Sequence, residues 1–200
     1  MANRTANKGE AVKYIIVLGL LAALILATLA IWEVRYAPTK DRTSLADYYG
    51  VSGKEAALFV NGEKSDTKKA AIVSDGHFYI LLAELRYATD SQVISVNKGD
   101  TYYTAGRSQE DLGQKLVITG DGDRTYVAVD FADKFSDFSY KTGKKPYRLV
   151  IEKAGYKRKV SSISKDTEIR RFGGPKSRIL ADVKKGTGIT VLQSYGKWSQ

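Results

Sequence analysis

Side chains able to carry acid–base, nucleophilic or metal chemistry are scarce in this chain. It has no cysteine and a single histidine, His77. Disulfides, thiolate metal sites, cysteine nucleophiles and sites built from two imidazoles are therefore excluded. His77 stands on a predicted strand beside Phe78 and Tyr79, and we interpret it as a structural or surface residue. Serines are abundant, but their positions define no Ser-His-Asp set.

Three short segments share features with functional motifs without completing them. Gly120-Asp121-Gly122-Asp123 has fewer ligands than a calcium loop and predicts a hairpin turn. Asp130, Asp133 and Asp137 are spaced so that they predict one solvated helix face. Gly173-Gly174-Pro175 lacks the lysine and hydroxyl residue of a phosphate loop. We therefore expect no catalytic residue, no metal ligand and no cofactor in these 200 residues.

Basic residues are concentrated at one end of the chain. Residues 141–200 hold 16 Lys/Arg and four Asp/Glu, a balance of +12, whereas residues 33–140 hold 13 and 17, a balance of −4. Aromatic residues are interleaved with these cations, a pattern that indicates polyanion binding. An ordinary basic surface that aids solubility is the alternative. The candidate binding residues are Lys157, Arg158, Lys159, Arg170, Arg171, Lys176, Arg178, Lys184, Lys185 and Trp198.

An uncharged segment of 19 residues, Tyr14–Trp32, precedes the rest of the chain. As a helix it would be roughly 28 Å long, which is about the thickness of the hydrocarbon core of a bilayer. The aromatic residue at each end suits the membrane interface. A signal peptide cleaved near Ala30 is the alternative, although the apolar run exceeds the usual length of such a signal. The segment predicts an uncleaved transmembrane signal-anchor.

The charges around this segment predict its orientation. Residues 1–13 carry Arg4, Lys8 and Lys13 against Glu10, and short basic tails tend to stay in the cytoplasm. We expect a single-pass protein with a cytoplasmic N-terminus and an extracytoplasmic globular part. The lack of cysteine fits an exported protein of a Gram-positive-type bacterium. The polyanions available there are teichoic acid, peptidoglycan carboxylates and anionic lipid headgroups, and we expect no nucleic-acid partner.

Residues 33–56 are predicted to form a stalk, and residues 57–162 a small α+β domain. Asn61-Gly62 is a strong hairpin signal, Ser74-Asp75-Gly76 predicts another turn, and the runs 92–96 and 101–104 predict a further hairpin. Residues 76–85 align with residues 123–132, which places Tyr79 over Tyr126 at an offset of 47. This alignment predicts two related strand–helix units that share one core, with chance similarity as the alternative.

Residues 163–200 contain short strand-like runs separated by glycine-rich turns. This pattern predicts a small β-barrel. Three pieces resemble the motifs of bacterial SH3-like domains: Ile169-Arg170 with Gly174-Pro175, Ile179-Leu180 with Val183-Lys184-Lys185-Gly186-Thr187, and Val191-Leu192 with Lys197-Trp198. The resemblance implies an all-β SH3-like barrel that is incomplete at Gln200. An incomplete barrel would leave an unpaired edge, so we expect the chain to be part of a longer protein.

The whole chain resembles the N-terminal region of membrane-anchored family 18 glycoside hydrolases of Firmicutes, through the segments RYAPTK, DYYGV, VNGE, DGHFYILL and YRLVI. In that family the middle region is a duplicated copper amine oxidase-like domain, and the catalytic barrel follows the SH3-like domain. The resemblance implies an accessory, wall-binding region that presents a chitinase-like or peptidoglycan hydrolase-like domain beyond residue 200. A non-catalytic wall-binding or envelope-structural protein without a hydrolase is the alternative.

The predicted fold class is thus a single N-terminal transmembrane helix, a small α+β domain of two strand–helix repeats and a partial all-β SH3-like barrel. Asp130-Phe131-Ala132-Asp133 begins like the acidic motif of the family's catalytic barrel but does not continue it. A barrel of that kind needs about 250 residues, more than this chain supplies. With His77 as the sole histidine, a histidine-rich copper site is excluded despite the name of the middle domain.

Overall fold

The computed structural model describes residues 3–89, 94–97, 100–103, 115–120, 122, 124–134, 136–195 and 198–199. The chain divides into two compact units. The first, here called the helical unit, comprises the residues up to Arg42 together with Ile169–Ala181. The second, the sheet unit, comprises Thr43–Glu168 and Asp182–Gln200.

A single long helix dominates the helical unit. Helix α1 covers Asn3–Arg35, 33 residues. Its portion Glu10–Arg35 is long and apolar enough to cross a membrane, with a mean hydropathy of 2.8, and none of it is buried within the protein. Large apolar side chains are exposed on every face of α1, as expected for a helix whose solvent is lipid. The predicted apolar helix is confirmed, and it indicates membrane anchoring.

The rest of the helical unit is the chain that follows α1, residues 36–42, together with the parts of two strands that fall within Ile169–Ala181. Strand β12 (Thr167–Arg170) and strand β13 (Ile179–Val183) form a two-stranded sheet. The Arg171 amide donates to the Arg178 carbonyl over 2.9 Å. The segment that follows α1 pairs with this sheet. Arg42 forms a parallel β-bridge with Ile179, and the Ile179 amide donates to the Asp41 carbonyl at 2.8 Å.

A mixed eight-stranded sheet forms the body of the sheet unit. Its strand order is β7-β8-β4-β3-β1-β10-β9, with β2 paired to β1. The β1–β10 pair is parallel, and the other pairs are antiparallel. The strands are β1 (Glu55–Val60), β2 (Glu63–Lys64), β3 (Ala71–Ser74), β4 (His77–Leu81), β7 (Val117–Thr119), β8 (Thr125–Ala128), β9 (Phe138–Lys144) and β10 (Tyr147–Lys153).

Within the described residues, three helices and a separate antiparallel strand pair accompany the sheet: α2 (Leu45–Tyr49), α3 (Leu82–Thr89), α4 (Val129–Ala132) and the pair of β5 (Ile94–Asn97) and β6 (Asp100–Tyr103). Residues 92, 93 and 104 of the predicted hairpin lie outside the described residues. Helix α2 lies within the predicted stalk, where the Ser44 hydroxyl caps it by accepting from the Asp47 amide at 3.0 Å. Helix α3 packs against β4, β8 and β10 and buries Leu85 and Ala88. These apolar contacts hold both helices α3 and α4 on the sheet.

Two tight turns follow the predicted chemistry. Asn61 and Gly62 have φ angles of 52° and 87° and connect β1 to β2 with Val60 opposite Glu63. Asp75 and Gly76, at 50° and 84°, connect β3 to β4 in the same way. Positive φ at both central residues defines the hairpin turn that matches strand twist, and Asn-Gly and Asp-Gly adopt it most easily.

Both predicted strand–helix units are present and lie side by side. The first is β3–β4–α3 and the second is β7–β8–α4, joined by the antiparallel β4–β8 pair. The Leu81 amide donates to the Ala70 carbonyl, and the Ala128 amide to the Leu116 carbonyl, both at 2.8 Å. The corresponding residues are 46 apart in β3 and β7 and 47 apart in β4 and β8, because the second unit has one more residue between its strands. Residues 121 and 123 of the predicted Gly120–Asp123 turn lie outside the described residues.

The two aligned tyrosines connect these units reciprocally. The Tyr79 hydroxyl donates to the Lys115 carbonyl, just before β7, at 3.0 Å. The Tyr126 hydroxyl donates to the Lys69 carbonyl, just before β3, at 2.8 Å. Each ring is at most 3% exposed, so each hydroxyl needs a partner inside the protein. Each unit therefore supplies the acceptor for the other unit's buried hydroxyl.

The predicted partial SH3-like barrel is not shown in the described part of residues 163–200, where no barrel is closed. That region forms separate two-stranded sheets: β12 with β13, β14 (Gly188–Thr190) with β11 (Val160–Ser162), and β15 (Ser194–Tyr195) with β16 (Trp198–Ser199). Ile179 is the only residue of this region that is buried among those whose burial is described. Strands of two to five residues with so few buried side chains do not form the core that would close a barrel.

We expect Tyr126→Phe to lower the free energy of unfolding of the sheet unit by about 1 kcal/mol, because the hydrogen bond from the Tyr126 hydroxyl to the Lys69 carbonyl is lost. Tyr79→Phe should cost a similar amount through the Lys115 carbonyl. Urea unfolding of the full chain in micelles, followed by near-ultraviolet circular dichroism, measures the difference.

Tyr140→Phe is the matched control, because the Tyr140 hydroxyl makes no hydrogen bond to any described residue. That variant should shift stability by less than about 0.5 kcal/mol. Equal losses in all three variants would contradict the assignment of the reciprocal bonds.

Candidate polyanion-binding surface

The small β11–β14 sheet organises the basic residues of the sheet unit. Val160 lies opposite Thr190 and Ser162 opposite Gly188. Lys157 and Lys159 precede β11, so they lie at one end of this sheet. The turn that carries Lys184 and Lys185 lies at the other end, where the Gly186 amide donates to the Ile163 carbonyl at 2.8 Å. Lys165 is on the connection at that same end.

Asp166 fixes the lysine turn. Its carboxylate accepts from the Lys184 ammonium at 2.7 Å and from the Lys185 amide at 2.9 Å. These two hydrogen bonds, led by the one from Lys184, hold the pKa of Asp166 below its usual value. Lys184 is thus used to order the turn, while the Lys185 side chain is exposed.

Four lysines of this region have no partner. In the described part of the chain, the side chains of Lys157, Lys159, Lys165 and Lys185 are exposed and form no ion pair or hydrogen bond. We call these four residues the lysine ladder. Arg158 does not join them, because its guanidinium Nε donates to the Glu152 carboxylate at 2.7 Å and both groups are half-buried.

The other predicted binding residues lie in the helical unit or outside what can be described. The Arg170 guanidinium donates to the carbonyls of Pro175 at 2.8 Å and Ser177 at 2.7 Å, so it is a structural residue of the hairpin. Arg171, Lys176 and Arg178 are exposed in the same hairpin. Trp198 lies on β16, where it pairs with Tyr195, and its side chain lies outside the described residues.

The ten predicted residues are thus divided between the two units of the chain. Five of them, Lys157, Arg158, Lys159, Lys184 and Lys185, lie around the β11–β14 sheet. Four, Arg170, Arg171, Lys176 and Arg178, belong to the helical unit. Three of the ten side chains, those of Arg158, Arg170 and Lys184, are engaged in internal hydrogen bonds to Glu152, to carbonyls and to Asp166. Only part of the predicted charge is available to a ligand.

A cavity of about 670 Å³ in the sheet unit was not predicted. Buried Ala56 and Leu58 of β1 lie on its wall, and Lys64, Lys68 and Arg124 contribute cations. Arg124 Nη1 donates to the Lys68 carbonyl at 2.6 Å, which fixes that arginine. The polar run between β2 and β3, residues 65–69, was the available sequence signal. It did not reveal the cavity, because part of the lining comes from residues 122 and 124, more than fifty positions later.

The histidine and the acidic segment lie together at the surface. His77 Nδ1 is 3.2 Å from Asp130 Oδ2, and both side chains are more than half exposed. Burial and the Asp75 and Asp130 carboxylates raise the pKa of Tyr79. The described residues include no group of three or more His, Asp or Glu side chains placed to hold a metal.

The predicted single helix face of three aspartates is wrong for Asp137. Helix α4 ends at Ala132, and Asp133 is its C-cap. Asp130 and Asp133 are exposed as expected. Asp137 lies immediately before β9, and its carbonyl accepts from the Ala154 amide at 3.2 Å. The helix stops after one turn because the chain must enter β9, where Phe138 is buried in the core.

The lysine turn should depend on pH through Asp166. Since its pKa is lowered in the folded protein, its contribution to stability is present above the ordinary value of 3.8 and is lost as pH falls through the lowered value. The Lys185 amide proton shift, followed by NMR of the full chain in micelles, should titrate with a midpoint below 3.8. Asp166→Asn should remove that titration. A midpoint at or above 3.8 in the unsubstituted chain contradicts the assignment.

Comparison with known proteins identifies no protein similar to this chain. No family model, no curated protein and no solved structure matches the chain. The likeness of the C-terminal motifs to SH3-like domains, and of the whole chain to anchored family 18 glycoside hydrolases, therefore stays a prediction from sequence. What the structure itself supplies is an apolar anchor helix, a mixed-sheet unit and a set of unpaired lysines.

Proposed function

We propose that this chain is a membrane-anchored extracytoplasmic accessory region that binds an anionic polymer of the cell wall. Following the family resemblance, it presents a glycan-cleaving catalytic domain that lies beyond residue 200. The anchor is α1, with its basic N-terminal tail in the cytoplasm of a Gram-positive-type cell. The observation that carries the binding proposal is the lysine ladder, whose four exposed ammonium groups have no partner among the described residues.

The geometry of the ladder favours a polymer over a small anion. Its members lie at both ends of the β11–β14 sheet, where three residue pairs separate Lys159 from the lysine turn. At about 3.3 Å per residue, that separation is on the order of 10 Å. A single small anion does not reach both ends, whereas a chain of repeating phosphates or carboxylates does. Teichoic acid and peptidoglycan are polymers of this kind.

The energetics of such a contact are additive and sensitive to salt. Each exposed ammonium contributes little alone, about 0.2–1 kcal/mol with one counter-charge. Several along one polymer sum, and binding releases the counterions that the polymer holds. Ions screen these exposed charges over about 10 Å at 0.1 M salt. Weak, multivalent and salt-sensitive retention on the wall is the expected behaviour.

A non-catalytic wall-binding or envelope-structural protein is the second candidate. It is favoured by the position of Asp130 and Asp133, the residues that most resemble a catalytic acidic motif. They lie on and after a one-turn helix, and Asp130 is beside His77 rather than beside a second acid. The reading frame after Gln200 discriminates the two: a barrel with the acidic motif supports the first candidate, and a stop codon or an adhesion module supports the second.

Replacement of the four ladder lysines by glutamine should weaken wall binding about tenfold at low salt. The assay is co-sedimentation of the full chain, in micelles, with purified wall that contains or lacks teichoic acid. The unsubstituted chain should be released as ionic strength rises.

Glutamine at Lys54, Lys64, Lys68 and Lys134 provides a control with the same change in net charge, since these lysines are also exposed. This control should bind as the unsubstituted chain does. Equal retention of both variants on the wall, or retention that does not change with salt, would contradict the proposed role of the lysine ladder.

A further inference from the structure

The loop that joins β12 and β13 exposes an aromatic ring among cations. This loop, Arg171–Arg178, is here called the hairpin loop. The Phe172 ring is 67% exposed, and the Arg171 guanidinium lies 5.1 Å from its centroid. Lys176 and Arg178 are exposed on the same loop. An exposed aromatic ring flanked by Lys and Arg side chains is the combination that membrane-interface segments use.

The hairpin loop is held against the chain that leaves α1. The Lys176 ammonium donates to the Glu33 carbonyl at 2.7 Å, and the Thr39 amide donates to the Pro175 carbonyl at 2.9 Å. Arg170 supports the loop from inside, because its guanidinium donates to the carbonyls of Pro175, Ser177 and Thr39. These contacts all lie within the helical unit. The position of the loop is therefore set by the end of the apolar helix.

That position corresponds to the headgroup layer of a bilayer. The uncharged run of α1 ends at Trp32, and Glu33 follows directly. If this run fills the hydrocarbon core, the Glu33 carbonyl lies at the start of the polar layer, which is about 5–7 Å thick on each side. Lys176, 2.7 Å from that carbonyl, lies within the layer. Trp32 and Tyr36 are more than half exposed at the same level, as expected for interfacial aromatic residues.

We propose that the hairpin loop docks on the membrane surface, where Phe172 inserts at the interface and Arg171, Lys176 and Arg178 bind the phosphates of anionic phospholipids. An ammonium has three donors, so Lys176 keeps two for a phosphate after its bond to Glu33. Arg178 has no side-chain partner in the described part of the chain. The loop would thus be a second anchor that fixes the helical unit at the bilayer, apart from any wall polymer held by the lysine ladder.

Membrane contact of the loop can be measured with a single label, because the chain has no native cysteine. Phe172→Cys carries an environment-sensitive nitrobenzoxadiazole fluorophore in the full chain, reconstituted in phosphatidylcholine bilayers with or without phosphatidylglycerol. We expect quenching by lipids spin-labelled near the headgroup, and stronger quenching when phosphatidylglycerol is present. Each cation replaced by glutamine should weaken the association about fivefold.

The comparison variant adds Arg171→Gln, Lys176→Gln and Arg178→Gln to the labelled chain. Arg170 and its hydrogen bonds to the loop backbone remain in this variant. It should lose the response to phosphatidylglycerol, whereas Lys141→Gln, Lys144→Gln and Lys145→Gln, which remove equal charge elsewhere, should keep it. A label at Ala23, in the middle of α1, verifies in each sample that the helix spans the bilayer.

Three outcomes overturn the proposal while the helix remains inserted. The first is a label at position 172 that lipid quenchers do not reach. The second is a fluorescence response to purified teichoic acid or to inorganic phosphate but not to lipid. The third is quenching between two labelled copies, which would mean that Phe172 covers a second copy. The proposed wall binding is tested separately, because the variant in that assay replaces only Lys157, Lys159, Lys165 and Lys185.

Discussion

The sheet unit depends on two buried hydroxyl groups that each find an acceptor in the opposite strand–helix unit. Tyr79 donates to the carbonyl before β7, and Tyr126 donates to the carbonyl before β3. A buried hydroxyl without a partner is costly, so a shift of the β4–β8 register would break both bonds at once. The pair therefore fixes which strands meet at the centre of the two units. It also explains how two units that are each too small for a core share one.

The chain then reaches its basic end along β10, which lies parallel to β1. The Asn61 side chain at the β1–β2 turn accepts from the Lys153 amide at 3.0 Å, so the first hairpin of the sheet also holds the end of β10. Beyond that point the apolar content falls and the strands shorten. Few buried groups are left to specify a core, and the local order comes from polar contacts such as Asp166 with Lys184 and Lys185.

Basic residues that are alike in sequence have three different roles. Arg158, Arg170 and Lys184 order the backbone or pair with carboxylates. The lysine ladder leaves its charges exposed among the described residues, and we propose a wall polymer as their ligand. Lys176 donates to the Glu33 carbonyl near the end of the apolar helix, and we propose lipid phosphates as its further ligand. These roles differ because the nearest hydrogen-bond acceptor of each side chain differs. Counting charges along a sequence does not show which acceptor that is.

The sequence by itself determined the anchor helix, the Asn61-Gly62 and Asp75-Gly76 turns and the two strand–helix units. Each follows from local chemistry: a run of apolar side chains, residues that tolerate positive φ, and a repeated pattern. Only the tertiary structure decided which partner each basic side chain has, which carbonyls accept from the Tyr79 and Tyr126 hydroxyls, and where the cavity beside β1 lies. Those features join residues that are far apart in the chain, as with Lys69 and Tyr126 or Glu33 and Lys176. The expected partial barrel is not seen in the described part of residues 163–200, because strand-like sequence does not reveal whether enough side chains meet to form a core.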